Sequence, residues 1–301
     1  MKSFDDLPFA SDDYQFDWVA AKNDKGGGGG GKPSGTPGGD TGGSGSETVS
    51  YTYVSGTQDD LTTDHFNIDV NYVGDGWTLE IMSAIASAAD YLSRLITTGL
   101  PEDEGIDDLS INVSLSSIDT IGGTIAVGRP LSVRSSDNVS PDGLTVTGEI
   151  IFDSNDIDLL LARGTLDDLA LHEMVHVLGF GTLWEVPGER DFLSDPVFVP
   201  NLSTKNPNDG TSVIEYIGGA LDETGALPQV ETEGSLGHWS EEAYGDELMT
   251  TVFNVNGNYF SKMTADAITD LGYQIDDAVA AELALSIDLV GTYTVDDFAI
   301  A

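Results

Sequence analysis

The residues best placed to do chemistry stand close together. His172, Glu173 and His176 spell H-E-x-x-H. On a helix, side chains at i and i+4 lie on one face, one turn apart. Two imidazoles so placed reach one Zn²⁺ at ~2.0–2.1 Å, and the intervening Glu173 projects beside the open coordination position. A zinc-bound water has its pKa lowered to about 7, and the carboxylate takes its proton as the water attacks a peptide carbonyl. The metal polarises that carbonyl and stabilises the tetrahedral oxyanion. The chain has only four histidines, and two of them stand here. The bland alternative is a helix whose histidines are solvated or satisfied within the core.

The motif needs a helix and a frame. Thr165, with Asp168 three residues on, resembles a capping box, so a helix is predicted from there through LDDLALHEMVHVL. Gly179 suits the left-handed position that ends it. Upstream, FNIDVNYV (66–73) alternates apolar and polar and reads as a strand. Residues 77–97 read as an amphipathic helix, with Leu79, Met82, Ile85, Ala86, Ala89, Leu92 and Ile96 on one face and Gly99 and Pro101 as the stop. SINVSLSSI (110–118), GGTIAVGRPLSVR (122–134) and LTVTGEIIFD (144–153) are three further extended segments. The last two are divided by the turn signal Ser140-Pro141-Asp142-Gly143. The order is strand, helix, three strands, helix. A loop-rich region follows over 181–237, and a last helix is predicted near 264–271.

A catalytic zinc takes three protein ligands. The compact pattern H-E-x-x-H-x-x-G-x-x-H would place a histidine at position 182, which is Thr182. Gly179 is in place, so the chain has the means to turn back under the metal. The remaining histidines are His65 and His238. His65 lies near Asp59, Asp60 and Asp64, which suits a surface position. His238 stands in GSLGHWSEE, and Met249 follows eleven residues later in DELMTTVF. A methionine in a tight turn beneath the metal is a hallmark of metzincins.

HEMVHVLGFGTLW, a long insertion, and GSLGHWSEEAYGDELMT together resemble the leishmanolysin-type metzincins, especially their cysteine-free bacterial relatives. In that family the spacer before the third histidine is expanded; here it is Phe180–Gly237, 58 residues. The resemblance extends more weakly over roughly residues 60–275. It implies that His172, His176 and His238 are zinc ligands, that Glu173 is the general base, and that Met249 is the Met-turn residue. It implies an α+β, zincin-like metzincin fold: a twisted mixed sheet with a backing helix and an active-site helix, above a loop-rich C-terminal subdomain. The corresponding division is 49–180 for the upper subdomain and 181–301 for the lower. The implied partner is an extended polypeptide substrate, paired with an edge strand drawn from Leu144–Phe152 or from the GGTIAV segment. Parasite members of the family are disulfide-rich and lipid-anchored. This chain has no cysteine, which excludes latency through a pro-segment thiolate, and no membrane-anchor signal.

Composition narrows the remaining choices. Lys and Arg number 11 against 52 Asp and Glu, a net charge of −41, which argues against nucleic acid and anionic membranes as partners. No apolar run approaches the ~20 residues that span a bilayer. Residues 1–48 read as an acidic tail and a glycine-rich linker, with Gly26–Gly31 in a row and none of the features of an N-terminal secretory signal. The chain ends DDFAIA, which resembles the uncleaved C-terminal signal of type I secretion substrates, so a secreted or cell-surface location is expected; a frayed apolar end is the alternative. Asp153, Asp156 and Asp158 read either as a polar loop or as a structural Ca²⁺ site. Trp184 and Trp239 read as wall and core. Glu185, Glu241 and Glu242 read as solvated, or as groups that orient a ligand imidazole. Arg129 and Arg134 read as structural partners for carboxylates.

Three functions of different kinds follow. The first is a zinc endopeptidase. The second is a non-catalytic surface or adhesion module that keeps zinc or calcium for folding, although such a module has no need of Glu173. The third is a cation-buffering acidic surface protein.

Overall fold

Alternation in the sequence becomes register in a sheet. Ile68, Val70 and Tyr72 are buried while Asp69 and Asn71 are only partly so, and Leu109, Ile111 and Val113 repeat the pattern on the neighbouring strand. A computed structural model supplies the fold and describes residues 13–15, 48–56, 65–103, 105–134, 143–184, 201–205, 213–231, 237–254, 257–289 and 291–301. In chain order the elements are β1 (Asp13–Gln15), β2 (Val49–Val54), β3 (Ile68–Val73), α1 (Leu79–Leu95), β4 (Leu109–Ser116), β5 (Ala126–Val133), β6 (Thr145–Asp153), α2 (Ile157–Arg163), α3 (Leu166–Leu178), β7 (Asn201–Lys205), β8 (Val213–Ile217), β9 (Gln229–Val230), α4 (Glu241–Tyr244), β10 (Val252–Asn254), α5 (Lys262–Asp270), α6 (Asp277–Ala280) and β11 (Ala299–Ile300).

Among the described residues the main sheet is six-stranded, in the order β11-β2-β3-β4-β6-β5. It is mixed: β3, β4 and β6 run parallel, and β5 lies antiparallel to β6 at one edge. Pro130 lacks a backbone N–H, and the β5–β6 register shifts between Pro130 and Ser132, both features suited to an edge. Of the two edge strands predicted for the substrate, Leu144–Phe152 lies inside the sheet as β6, whereas GGTIAV leads into the edge strand β5.

Helix α1 starts where Thr78 caps the backbone N–H of Ile81, and it buries Ile81, Met82, Ile85, Ala86, Ala89 and Leu92. It packs against α3 and β3. Two glycines bring α3 close to the sheet. A β-carbon on Gly128 would run into the Glu173 carbonyl oxygen, and one on Gly148 would run into Val177.

Several details depart from the sequence reading. The box at Thr165 does not form: its hydroxyl makes no cap, and the Asp168 carboxylate instead accepts from the N–H and the side-chain amide of Asn258. Helix α2 was not predicted, because seven residues carry too little periodicity; Gly164, left-handed at its end, was the available signal. The loop-rich region contributes a three-stranded antiparallel sheet, β7-β8-β9. The tail expected over 1–48 lies almost wholly outside the described residues. Within it, Asp13–Gln15 pairs with Val252–Asn254, since a short edge offers free backbone groups.

The chain end is built in rather than free. Thr294 and Asp297 form a capping box, Phe298 is buried against Tyr53, Tyr72 and Tyr293, and β11 pairs with β2. Among the described residues, no helix is long and apolar enough to cross a membrane.

Candidate active site and its metal-ligating residues

Apart from Asp167, every residue of α3 is buried. Its sequence is apolar nearly all round, which suits a helix enclosed by α1, the sheet and the segments that follow. His172 and His176 therefore sit deep in the molecule on one helical face, 0% and 3% exposed.

Both rings are oriented by backbone carbonyls. His172 Nδ1 lies 2.6 Å from the Leu248 carbonyl oxygen, and His176 Nδ1 lies 2.9 Å from that of Phe180. A carbonyl only accepts, so each Nδ1 must carry the proton, which leaves a lone pair on each Nε2. Those two Nε2 atoms stand 3.0 Å apart, and His238 Nε2 lies 3.1 Å from His176 Nε2. Neither His172 nor His176 then has an Nε2 proton to share, so the contact between them is unfavourable unless a cation sits among the nitrogens. A tetrahedral zinc with nitrogens at ~2.0–2.1 Å would separate them by about 3.3 Å. The donor set fits zinc in chemistry, number and spacing. Burial pushes the His172 imidazole well below its usual pKa and His176 down to about 4, and the neutral ring is the metal-binding form.

Among the described residues, one group of three or more histidines and acids converges well enough to hold a metal: His172, His176 and His238, with ligand atoms within 4.8 Å of one another. His65 is exposed and outside this group. The Asp153–Asp156–Asp158 loop forms no such group. Asp153 accepts from the N–H of Asp119 and Asn155, and Asp156 from that of Gly122, so these two carboxylates tie down a turn; Asp158 is exposed in the first turn of α2.

The sequence profile of the leishmanolysin family matches residues 115–290. The chain belongs to the leishmanolysin family, a family of zinc metalloendopeptidases. No curated protein matches the sequence. The matched span includes the three histidines, Glu173 and Met249, and it reaches from the end of β4 to beyond α6.

In this leishmanolysin-family chain the distant histidine is brought in by backbone geometry. Gly179, at φ 118°, ends α3, and its N–H returns to the carbonyls of Val175 and His176. At position 182, where a compact motif would carry a histidine, the Thr182 hydroxyl donates to the His176 carbonyl oxygen at 2.7 Å. Gly181, at φ 72°, passes so close to the Gly237 backbone that a β-carbon there would collide with it. His238 is the next residue. The following one, Trp239, bridges Val230 of β9 on one side and Thr250 on the other, and its N–H donates to the Met249 carbonyl.

Glu173 is 1% exposed, and its carboxylate accepts from the N–H of Gly128 on the edge strand β5. Burial pushes its pKa up to about 8, while the Gly128 N–H works against the rise. Met249 is fully buried, and the carbonyl before it orients His172.

Trp184 and Trp239 are core: with Phe180 and Tyr216 they form one aromatic cluster, with ring centroids 4.6–5.4 Å apart. Glu241 is half-buried and accepts from the Val252 N–H, Glu242 is exposed, and Glu185 lies outside the described residues. Arg129 pairs with Glu149, and the buried Arg134 donates to carbonyls of Pro101, Asp107, Asp108 and Thr145. The sequence reading missed Gly128, Thr182 and the carbonyls of Phe180 and Leu248. Carbonyls carry no residue-type signal; Thr182 at the motif's vacant position was the one legible clue.

Proposed function

We infer that the chain is a zinc-dependent endopeptidase that cleaves an extended polypeptide, with His172, His176 and His238 holding the metal and Glu173 as general base. The observation that carries this reading is the convergence of three imidazole Nε2 atoms, two from one helical turn and one from 62 residues beyond it, with the first two turned inward by carbonyls on their Nδ1 side.

When bound, zinc supplies an acidified water and a positive centre for the carbonyl oxygen of the scissile bond. Glu173 receives the proton of the attacking water and delivers it to the leaving amine. Its burial makes water a poor competitor for that proton, and its bond from Gly128 fixes the carboxylate beside the edge strand. On β5, the backbone groups turned away from β6 pair with the substrate backbone, and such pairing accepts many sequences. Met249 lies in the turn beneath the histidines as a rigid support. The division into an upper part (49–180) and a lower part (181–301), with the cleft between them, belongs to the same reading. So does an extracellular or cell-surface site of action. A secretion signal in Asp296–Ala301 would have to be read before Phe298 docks. A calcium ion has no place in this reading.

The test is Glu173→Ala. The variant is expected to retain zinc and to lose casein cleavage; full activity would remove Glu173 from its role. Zinc content of His238→Ala tests the distant ligand, which fails if the variant holds zinc as tightly as wild type. The rival reading, a non-catalytic zinc-stabilised module, expects no cleavage of a peptide library by the zinc-loaded wild type.

A further inference from the structure

A carboxylate that belongs to neither the ligand set nor the proposed chemistry is buried close to both. Glu247 is 1% exposed. Four donors converge on it. Its Oε2 accepts from the Met249 N–H at 2.6 Å. Its Oε1 accepts from the Ser261 N–H at 3.2 Å, the Ser261 hydroxyl at 2.6 Å and the Thr264 hydroxyl at 2.5 Å. A buried carboxylate is costly unless so satisfied, and an amide in its place would turn an N–H₂ toward a donor.

These bonds lead to two of the three histidines by separate routes. On one side Glu247 clamps the N–H of Met249, so a side chain closes a tight loop over the single residue between, Leu248. The carbonyl inside that loop, Leu248 O, orients His172. On the other side the Thr264 hydroxyl donates to Glu247 and accepts from the Trp239 indole N–H at 2.9 Å, and Trp239 directly follows His238. The Trp239 N–H donates to the Met249 carbonyl, which closes the two routes on each other.

We propose that Glu247 is a positioning residue for the metal site, one carboxylate that sets both the carbonyl behind His172 and the indole of the residue that follows His238. The proposal rests on the zinc reading above. It assigns Glu247 no contact with metal or substrate. Glu247 acts through the orientation of two imidazoles, and partners that orient zinc ligands commonly govern about 10–100-fold in metal affinity.

The experiment compares Glu247→Gln and Thr264→Val with Asp108→Asn as a control. Asp108 is a buried carboxylate of the upper sheet that accepts from Asn67 and Leu100 N–H. Zinc affinity is read by chelator competition, and ligand geometry by the absorption bands of the cobalt-substituted proteins. Glu247→Gln is expected to bind zinc about 10–100-fold more weakly and to shift the cobalt bands. Thr264→Val, which cuts only the His238 route, is expected to do the same to a smaller degree and decides the matter if Glu247→Gln does not fold. Asp108→Asn is expected to lower the melting temperature and leave both readouts unchanged. Wild-type affinity and unshifted bands in Glu247→Gln, or in Thr264→Val where it alone folds, overturn the proposal, as do equal shifts in the control. A wild type that binds no zinc would instead overturn the zinc reading.

Discussion

His172 and His176 are held by one helix, and His238 by a web of backbone contacts; the same three rings meet at one point by two different routes. The helical pair needs only the rise and pitch of α3, which are set by local hydrogen bonds. The distant ring needs the close crossing of Gly181 over Gly237, the bridges from Trp239 to Val230 and Thr250, and the Trp239 indole bonded to Thr264. Local geometry tolerates change at single contacts, because each helical turn supports the next. A web of single long-range contacts gives way one member at a time.

The largest break in that comparison is expected from the histidines themselves. His176→Ala and His238→Ala should each abolish tight zinc binding, measured as metal retained after dialysis. Both rings are buried, 3% and 1% exposed, so both leave a cavity, but only the first removes a side chain of α3 itself. The melting temperature of the metal-free protein should therefore fall further in His176→Ala; equal falls would mean that the distant ring is as deeply built in as the helical one.

Next comes the seat of α3 on the sheet. Gly128→Val places methyls where the Glu173 backbone runs, and overpacking of this kind costs about 1–3 kcal/mol. Denaturant unfolding should show that loss, and casein cleavage should fall with it because Glu173 shifts. A variant with full activity would show that Glu173 is not tuned by the edge strand.

The tie between α3 and the later chain is pH-dependent. Burial pushes Asp168 up to about 7, against the bonds it accepts from Asn258. Its folded pKa lies above its unfolded one, so the stabilisation it gives is complete below pH about 4 and is lost as pH climbs to about 7. Asp168→Asn lacks this titration. The stability of wild type relative to the variant should decline between those limits in unfolding curves taken at several pH values, and a constant difference would rule out a raised Asp168.

The smallest effect is expected at the helix end. Thr182→Val removes the hydroxyl bonded to the His176 carbonyl and should cost about 1 kcal/mol, read as a small drop in melting temperature with zinc content unchanged.

Much of the chain as far as Gly179 was legible in the sequence. The alternation of Ile68–Val73 and Leu109–Ser116 and the apolar face of α1 were evident from periodicity, and the end of α3 from Gly179. Beyond Gly179 the sequence showed the motifs and the helix near 264–271, found as α5, but not the strands β7 to β9, which are short and whose partners lie far off in sequence. At Thr165 local pattern misled. The capping box was outweighed by a tertiary bond that Asp168 accepts from Asn258, ninety residues away.

The sequence by itself determined the chemistry: a histidine pair at helical spacing around a glutamate, a glycine to end the helix, a third histidine before a methionine, and no thiol anywhere. It did so because helical periodicity and ligand type are local properties. Only the tertiary structure showed the ring of His238 converging with the pair, that β5 rather than β6 is the edge strand, and which carbonyls turn each ring. Those are properties of distant backbone brought together, and backbone carries the same groups at nearly every residue, so no residue type announces them.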